Sequence, residues 1–115
     1  MEIDIFTHGK VDRLKFPAHM AMANSSNAHN AVCALINSGR TQLVLDLSAV
    51  EFLDSSGLSV LVSSRNDTRK HGGTVVLLAP NDHVRSLLEL TRLHEIFEIF
   101  EDRAAAIARL DPDQA

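Results

Sequence analysis

Two spacings of apolar residues follow one another along this chain, and they predict its strands and helices. Short runs with few polar interruptions predict five strands, at residues 2–6, 11–16, 42–47, 74–79 and 96–100. Apolar residues that recur at helical spacing predict four helices. The first follows the polar cluster at residues 24–27 and ends before Gly39, and the others cover residues 55–70, 80–91 and 102–110.

The order of these elements predicts the fold class. The first two strands are joined by Thr7-His8-Gly9-Lys10, which indicates a hairpin. Strands and helices alternate after residue 24, as in βαβ units with right-handed crossovers. The run at residues 74–79 has no polar alternation, so we expect a central strand that is covered on both faces. The prediction is an α/β protein with a mostly parallel sheet of about five strands, an N-terminal hairpin and four helices. It forms one domain over residues 1–115, with a frayed tail at residues 110–115.

The segment Asp54-Ser55-Ser56-Gly57-Leu58 lies where an apolar strand ends and a helix begins. In α/β domains this junction is where functional residues usually lie. The simplest interpretation is structural: serine is a preferred helix N-cap, and Gly57 lets the backbone pass close to a neighbouring element.

Residues 43–61, LVLDLSAVEFLDSSGLSVL, closely resemble the phosphorylation-site region of the STAS domain family, of the anti-sigma-factor antagonist type. The resemblance implies that Ser55, the first serine after the aspartate, is phosphorylated by a kinase that is also the anti-sigma factor. It implies a bacterial partner switch: the unphosphorylated form sequesters this partner, phosphorylation releases it, and a phosphatase reverses the change.

One position departs from the family pattern. Residues 17–24 fall where the family commonly shows an Arg-Leu-Asp-Ala type of stretch, and Ala21 occupies the position of the usual aspartate. We therefore expect that an acidic group often found beside the phosphorylation loop is missing in this chain.

The helix after Ser55 predicts a surface for the partner. Val60 lies about 160° around the helix from Leu58, so we expect it to face away from the core. Ser59 and Ser63 share that side. The predicted partner-binding residues are Asp54, Ser56, Gly57, Ser59, Val60 and Ser63. A phosphate of roughly −1.5 to −2 charges on Ser55 is compatible with a helix N-terminus but not with a surface packed against it.

Composition excludes several classes of function. The 11 Lys and Arg residues do not outnumber the 15 Asp and Glu, and Trp and Tyr are absent, which disfavours direct nucleic-acid binding. No apolar run approaches the roughly 20 residues of a membrane span, and the N-terminus has no signal-peptide pattern. We therefore expect a cytoplasmic protein that does not insert into membranes.

Catalytic and metal chemistry are not predicted. Ser55 is not in a Gly-x-Ser-x-Gly motif, so we expect no enzyme activity. The six histidines are interpreted as surface or capping residues, with no helical His–His pair and no cysteine partner assigned to any of them. Cys33 is expected to pack in the core. We expect neither a metal nor another cofactor.

Two other classes of function stay open at this point. The chain could be the STAS domain of a SulP-type anion transporter, or a STAS subunit of a membrane transport complex. It could also be a sensor module that binds a nucleotide or another small ligand, although no phosphate-binding loop is present.

Overall fold

The computed structural model describes residues 3–114 as seven strands and four α-helices. The strands are β1 (Asp4–His8), β2 (Val11–Lys15), β3 (His19–Met20), β4 (Gln42–Asp46), β5 (Phe52–Leu53), β6 (Thr74–Leu78) and β7 (Ile99–Phe100). The helices are α1 (Met22–Asn37), α2 (Ser55–Lys70), α3 (Asp82–Leu90) and α4 (Arg103–Leu110). Short 3-10 turns cover Leu93–Glu95 and Pro112–Gln114. The predicted α/β class with four helices is confirmed.

The main sheet has five strands in the order β1-β2-β4-β6-β7. β1 and β2 are antiparallel, and the other three pairings are parallel, as the sequence predicts. The hairpin turn is shorter than predicted, because His8 still pairs with Val11 and only Gly9 and Lys10 connect the strands. Gly9 has a φ of 64°, a left-handed conformation that glycine adopts without strain. Glu2, the first residue of the predicted strand, lies outside the described residues.

Helices cover both faces of this sheet. α1, α2 and α3 pack on one face, and the apolar core there includes Leu14, Phe16, Val32, Leu43, Leu45, Leu61, Leu77 and Leu88. α4 covers the other face through Ala106, Ile107 and Leu110, which pack on Val11, Val44, Val76 and Leu78. β6 therefore contributes side chains to both layers, as predicted, but it ends at Leu78 and lies between β4 and the edge strand β7 rather than at the centre of the sheet.

Two strand features differ from the sequence prediction. β3 and β5 form a separate two-residue parallel pair, too short to give an apolar period. The last strand begins at Ile99 rather than at residue 96, because a 3-10 turn precedes it and Phe97 is buried in the core.

Residues of the C-terminal segment that the sequence predicts to be frayed have defined positions in the structure. Leu110 is the buried last residue of α4. Asp111 is also buried, and its carboxylate accepts a hydrogen bond from the backbone N–H of Lys10 at 3.4 Å. Ala115 lies outside the described residues. Among the helices of residues 3–114, none has the length and apolar character needed to cross a membrane.

Candidate functional site

The candidate site is built around Asp54, the N-cap of α2. Its Oδ1 accepts a hydrogen bond from the backbone N–H of Gly57 at 3.1 Å, and its Oδ2 accepts one from the N–H of Met22 at 3.3 Å. One carboxylate thus accepts hydrogen bonds from backbone N–H groups in the first turns of two helices, which have no partner within their own helix. The expectation that the serines cap this helix is wrong, because Asp54 supplies the cap.

Ser55 and Ser56 are the first two residues of α2. The side chain of Ser55 is exposed, and its backbone carbonyl accepts a hydrogen bond from the Ser59 hydroxyl at 3.0 Å. Ser56 is half-buried. Because Asp54 satisfies the helix end, capping does not require the Ser55 hydroxyl. The hydroxyl group therefore lies at the surface, at the positive end of the helix dipole.

The β3–β5 pair sets the position of this loop. Met20 pairs with Leu53, and the N–H of Asp54 donates to the Met20 carbonyl at 3.2 Å. A Cβ at Gly57 would collide with the same carbonyl oxygen and with the Leu53 side chain. Gly57 is therefore buried, and it contributes to the site by permitting close approach rather than by offering a contact surface.

The start of α1 replaces the missing acidic residue with backbone and amide contacts. Ala21 is the N-cap of α1, and its N–H donates to the Asn24 Oδ1 at 2.9 Å. The Asn24 amide donates in turn to the carbonyl of His19. The sequence places Asn24 before the first helix, but it is the third residue of α1 and holds the chain reversal. Position 21 contributes no charge beside Ser55.

The predicted exposure of Val60 is wrong. Its side chain is 4% exposed and belongs to the core between the sheet and α1. α2 is covered on two sides, so its buried arc is wider than one apolar stripe. Ser64 and Thr68 complete this arc, with hydroxyls that donate to the carbonyls of Val60 and Ser64 at 2.6 Å each. These polar residues conceal the buried face from a hydrophobicity pattern.

The remaining predicted residues of α2 lie along the groove between α1 and α2. Ser59 is exposed and Ser63 is half-buried. Together with Ser56, they face Ser25 and Ser26 of α1 across a groove of about 290 Å³. The structure thus brings Asp54, Ser56, Ser59 and Ser63 to one region of the surface, near Ser55.

Two exposed apolar residues beside Ser55 were not predicted. Met22 is 78% exposed and Phe52 is 46% exposed, and both belong to segments that directly contact the Asp54 loop. The Phe52 ring centroid is 6.0 Å from that of His19. Met22 and Phe52 lie in regions where the sequence shows neither a strand period nor a helix period. The sequence therefore does not indicate which way their side chains point.

A second cluster lies further along α1 and α2. His29 and Cys33 are four residues apart on α1, and Asp67 on α2 lies opposite them. The interpretation that no histidine has a cysteine partner is therefore wrong. The expected core position of Cys33 is also wrong: the residue is half-buried, because the core face of α1 consists of Ala28, Val32 and Ile36.

Two known proteins are similar to this chain over most of its length. A protein of Bordetella bronchiseptica named as a candidate anti-sigma factor antagonist, BtrV, is 30% identical over 105 residues, which are 89% of this chain and 90% of BtrV. The crystal structure of a candidate anti-sigma factor antagonist from Thermotoga maritima has a TM-score of 0.87 and 27% identity, and covers 94% of this chain and 93% of that one.

The same fold also occurs inside a larger membrane protein. The murine anion transporter Slc26a9 matches with a TM-score of 0.73 and 21% identity, over 90% of this chain but 18% of the transporter. That likeness concerns the fold alone. The model of the STAS domain family matches residues 3–106, which is nearly the whole chain, so the protein belongs to the STAS domain family.

Proposed function

We propose that this protein is an anti-sigma factor antagonist that works as a phosphorylation-controlled binding switch. The unphosphorylated form binds an anti-sigma factor that is also a serine kinase, and phosphorylation of Ser55 releases it. A phosphatase acting on Ser55 restores binding. The single observation that carries this proposal is the exposed Ser55 side chain at the start of α2, next to an aspartate that already caps the helix.

The helix end tolerates the modification. A phosphate adds roughly −1.5 to −2 charges, and the N-terminal dipole of a helix favours an anion there. Because Asp54 and not Ser55 makes the capping bond, modification of Ser55 leaves the Asp54–Gly57 contact in place. The fold is therefore expected to persist in both states, as a reversible switch requires.

A docked partner does not tolerate a phosphate on Ser55. Met22 and Phe52 are exposed apolar side chains on the two segments that adjoin Asp54, and exposed apolar side chains are suited to burial against another protein. A phosphate within such an interface has to lose its water shell, and it lies close to the Asp54 carboxylate. Desolvation and like-charge repulsion both oppose binding, so the phosphorylated form dissociates.

The proposed docking surface keeps most of the predicted residues and exchanges one. Ser59 and Ser63 contribute exposed or half-buried hydroxyls, while Asp54 and Ser56 flank the phosphorylation site. Gly57 acts by shaping the backbone. Met22 and Phe52 supply the apolar contact that the sequence assigned to Val60.

Position 21 bears on the choice of kinase. With alanine there, the acidic group next to Ser55 in the loop is Asp54, and its two oxygens already accept helix N–H groups. We propose that the cognate kinase recognises this loop through Asp54 and the exposed side chains of Met22 and Phe52, and that the two proteins meet in the cytoplasm.

The test uses the purified chain and the serine kinase encoded with it in its source organism. Binding is measured by calorimetry, and ATP is then added and the modified residue is mapped by mass spectrometry. The proposal predicts a complex that dissociates as phosphate appears on Ser55. Ser86→Ala, an exposed serine on α3 outside the proposed docking surface, is the matched control and should be phosphorylated and released like the wild type. Phosphate on Ser56 or Ser63 alone, or a complex that survives phosphorylation of Ser55, would contradict it.

The second candidate function is a STAS module of an anion transporter or of a membrane transport complex, which the shared fold favours. Affinity capture from native membranes and native cytoplasm separates the two. Recovery of a kinase supports the switch, and recovery of a transporter supports the alternative.

A further inference from the structure

We propose that His29, Cys33 and Asp67 form a binding site for a zinc-type transition-metal ion on the surface between α1 and α2. Their ligand atoms, an imidazole nitrogen, a thiol sulfur and a carboxylate oxygen, all lie within 4.8 Å of one another. All three residues are half-buried, so an ion can reach them from solution. The site adjoins the proposed docking surface, because His29 lines the same groove as Ser59 and Ser63.

The cluster follows from helix geometry. Residues four apart on a helix lie on the same face, so His29 and Cys33 project together from α1. α2 packs along α1, and Asp67 faces them from this second helix. The three donors therefore meet because two rigid helices hold them there, not because a loop has folded over.

The distances fit a zinc ion. The Cys33 Sγ is 3.7 Å from the His29 Nε2 and 4.0 Å from the Nδ1 of the same ring, and the Nε2 is 3.5 Å from the Asp67 Oδ2. Tetrahedral zinc, with bonds of about 2.3 Å to sulfur and about 2.0–2.1 Å to nitrogen and oxygen, separates sulfur from nitrogen by about 3.6 Å and nitrogen from oxygen by about 3.3 Å. Small side-chain movements would complete the geometry.

The arrangement differs from a cysteine–histidine–aspartate catalytic triad. In a triad the carboxylate contacts the ring nitrogen opposite to the one that faces the nucleophile. In this protein the Asp67 oxygen contacts the His29 Nε2, and the Cys33 sulfur lies closer to that nitrogen, at 3.7 Å, than to Nδ1, at 4.0 Å. Three donors that converge on one point are suited to a shared cation rather than to a proton relay.

The donor set also selects the class of metal. Thiolate and imidazole prefer zinc and its transition-metal neighbours, whereas magnesium and calcium prefer oxygen ligands only. Three protein ligands leave one tetrahedral position for water or an external group. A bound ion would link α1 to α2 and stabilise the folded form, since the three ligands come together only when the helices pack.

The experiment uses the full, reduced chain without a histidine tag, titrated with Co²⁺ as a spectroscopic probe and then with Zn²⁺. We expect one equivalent of Co²⁺ to give a near-ultraviolet thiolate-to-metal band and the intense visible bands of a tetrahedral site, both removed by Zn²⁺. Cys33→Ser should abolish the thiolate band. His29→Gln, Cys33→Ser and Asp67→Asn should each weaken Zn²⁺ binding by roughly tenfold or more, since even residues that only support metal ligands cause losses of that size.

His83→Gln is the matched control, because His83 is an exposed histidine on α3. It should bind Zn²⁺ like the wild type, and circular dichroism should show that all variants keep their helices. Zn²⁺ should also raise the melting temperature of the wild type and not that of Cys33→Ser. The absence of a thiolate band, or equal Zn²⁺ affinities for wild type and the three ligand variants, would overturn the proposal.

Discussion

The carboxylate of Asp54 accepts a hydrogen bond from the backbone N–H of Met22, 3.3 Å away and at the start of a different helix. Its other oxygen caps α2 through Gly57. One side chain therefore fixes two helix ends around Ser55. The residue that the family resemblance places next to the phosphorylation site is also the residue that holds the site together.

Removal of this carboxylate should destabilise the fold more than the loss of an ordinary cap. Asp102 caps α4 through a single bond to the Ala105 N–H at 2.9 Å, so Asp102→Ala is the matched control and should cost about 0.5–2 kcal/mol. Asp54→Ala loses bonds to two helices and should lower the free energy of unfolding further. Urea denaturation of both variants measures this. An Asp54→Ala cost no larger than that of Asp102→Ala would mean that the Met22 contact contributes nothing.

Gly57→Ala should destabilise the protein although alanine is the better helix former. The propensity gain is about 1 kcal/mol, but the new Cβ would collide with the Met20 carbonyl and the Leu53 side chain. The overpacking should leave a net loss of about 1–3 kcal/mol in thermal or urea denaturation. An increase in stability would show that β3 and α2 are further apart than the structure places them.

Val60→Ala should behave as a core truncation. The side chain is 4% exposed, so its loss should cost about 1.5–3 kcal/mol, compared with about 2–5 kcal/mol for Leu61→Ala, which is fully buried. Ser59→Ala, on the exposed side of the same helix, should change the free energy of unfolding by about 0.5 kcal/mol or less. If Val60→Ala matched Ser59→Ala in stability, the rotation of α2 would have to be revised.

Met22→Gln and Phe52→Gln should weaken partner binding while leaving stability nearly unchanged. Both residues are exposed apolar side chains next to Ser55. Leu90→Gln is the matched control, because Leu90 is 80% exposed at the end of α3 and is not among the residues of the proposed docking surface. Calorimetric titration with the kinase should show reduced affinity for the first two variants only. Equal affinities for all three would place the docking surface elsewhere.

The sequence predicts the main sheet well where packing is simple. β6 lies between two helical layers, so every residue of its central part is apolar and the run is unmistakable. The start of α2 was also predictable, because Asp54 and the serines mark a helix N-terminus by their residue types.

The features that the sequence does not predict depend on contacts between segments that are distant in sequence. The prediction of the buried face of α2 was wrong because this helix is covered by α1 as well as by the sheet. Ser64 and Thr68 are therefore buried. The β3–β5 pair has two residues per strand and no detectable period. Asp67 joins His29 and Cys33 only after two helices pack, although the spacing of four between His29 and Cys33 is visible in the sequence.

The most direct test of the proposed switch compares one complex in two states. The affinity of the partner kinase is measured for the unmodified chain and for the chain phosphorylated on Ser55, with melting curves recorded for both. The account predicts that phosphorylation weakens binding by roughly tenfold or more, as expected when a charged group loses its water shell in an interface, while both forms melt at similar temperatures. Equal affinities, or a phosphorylated chain that is unfolded, would contradict it.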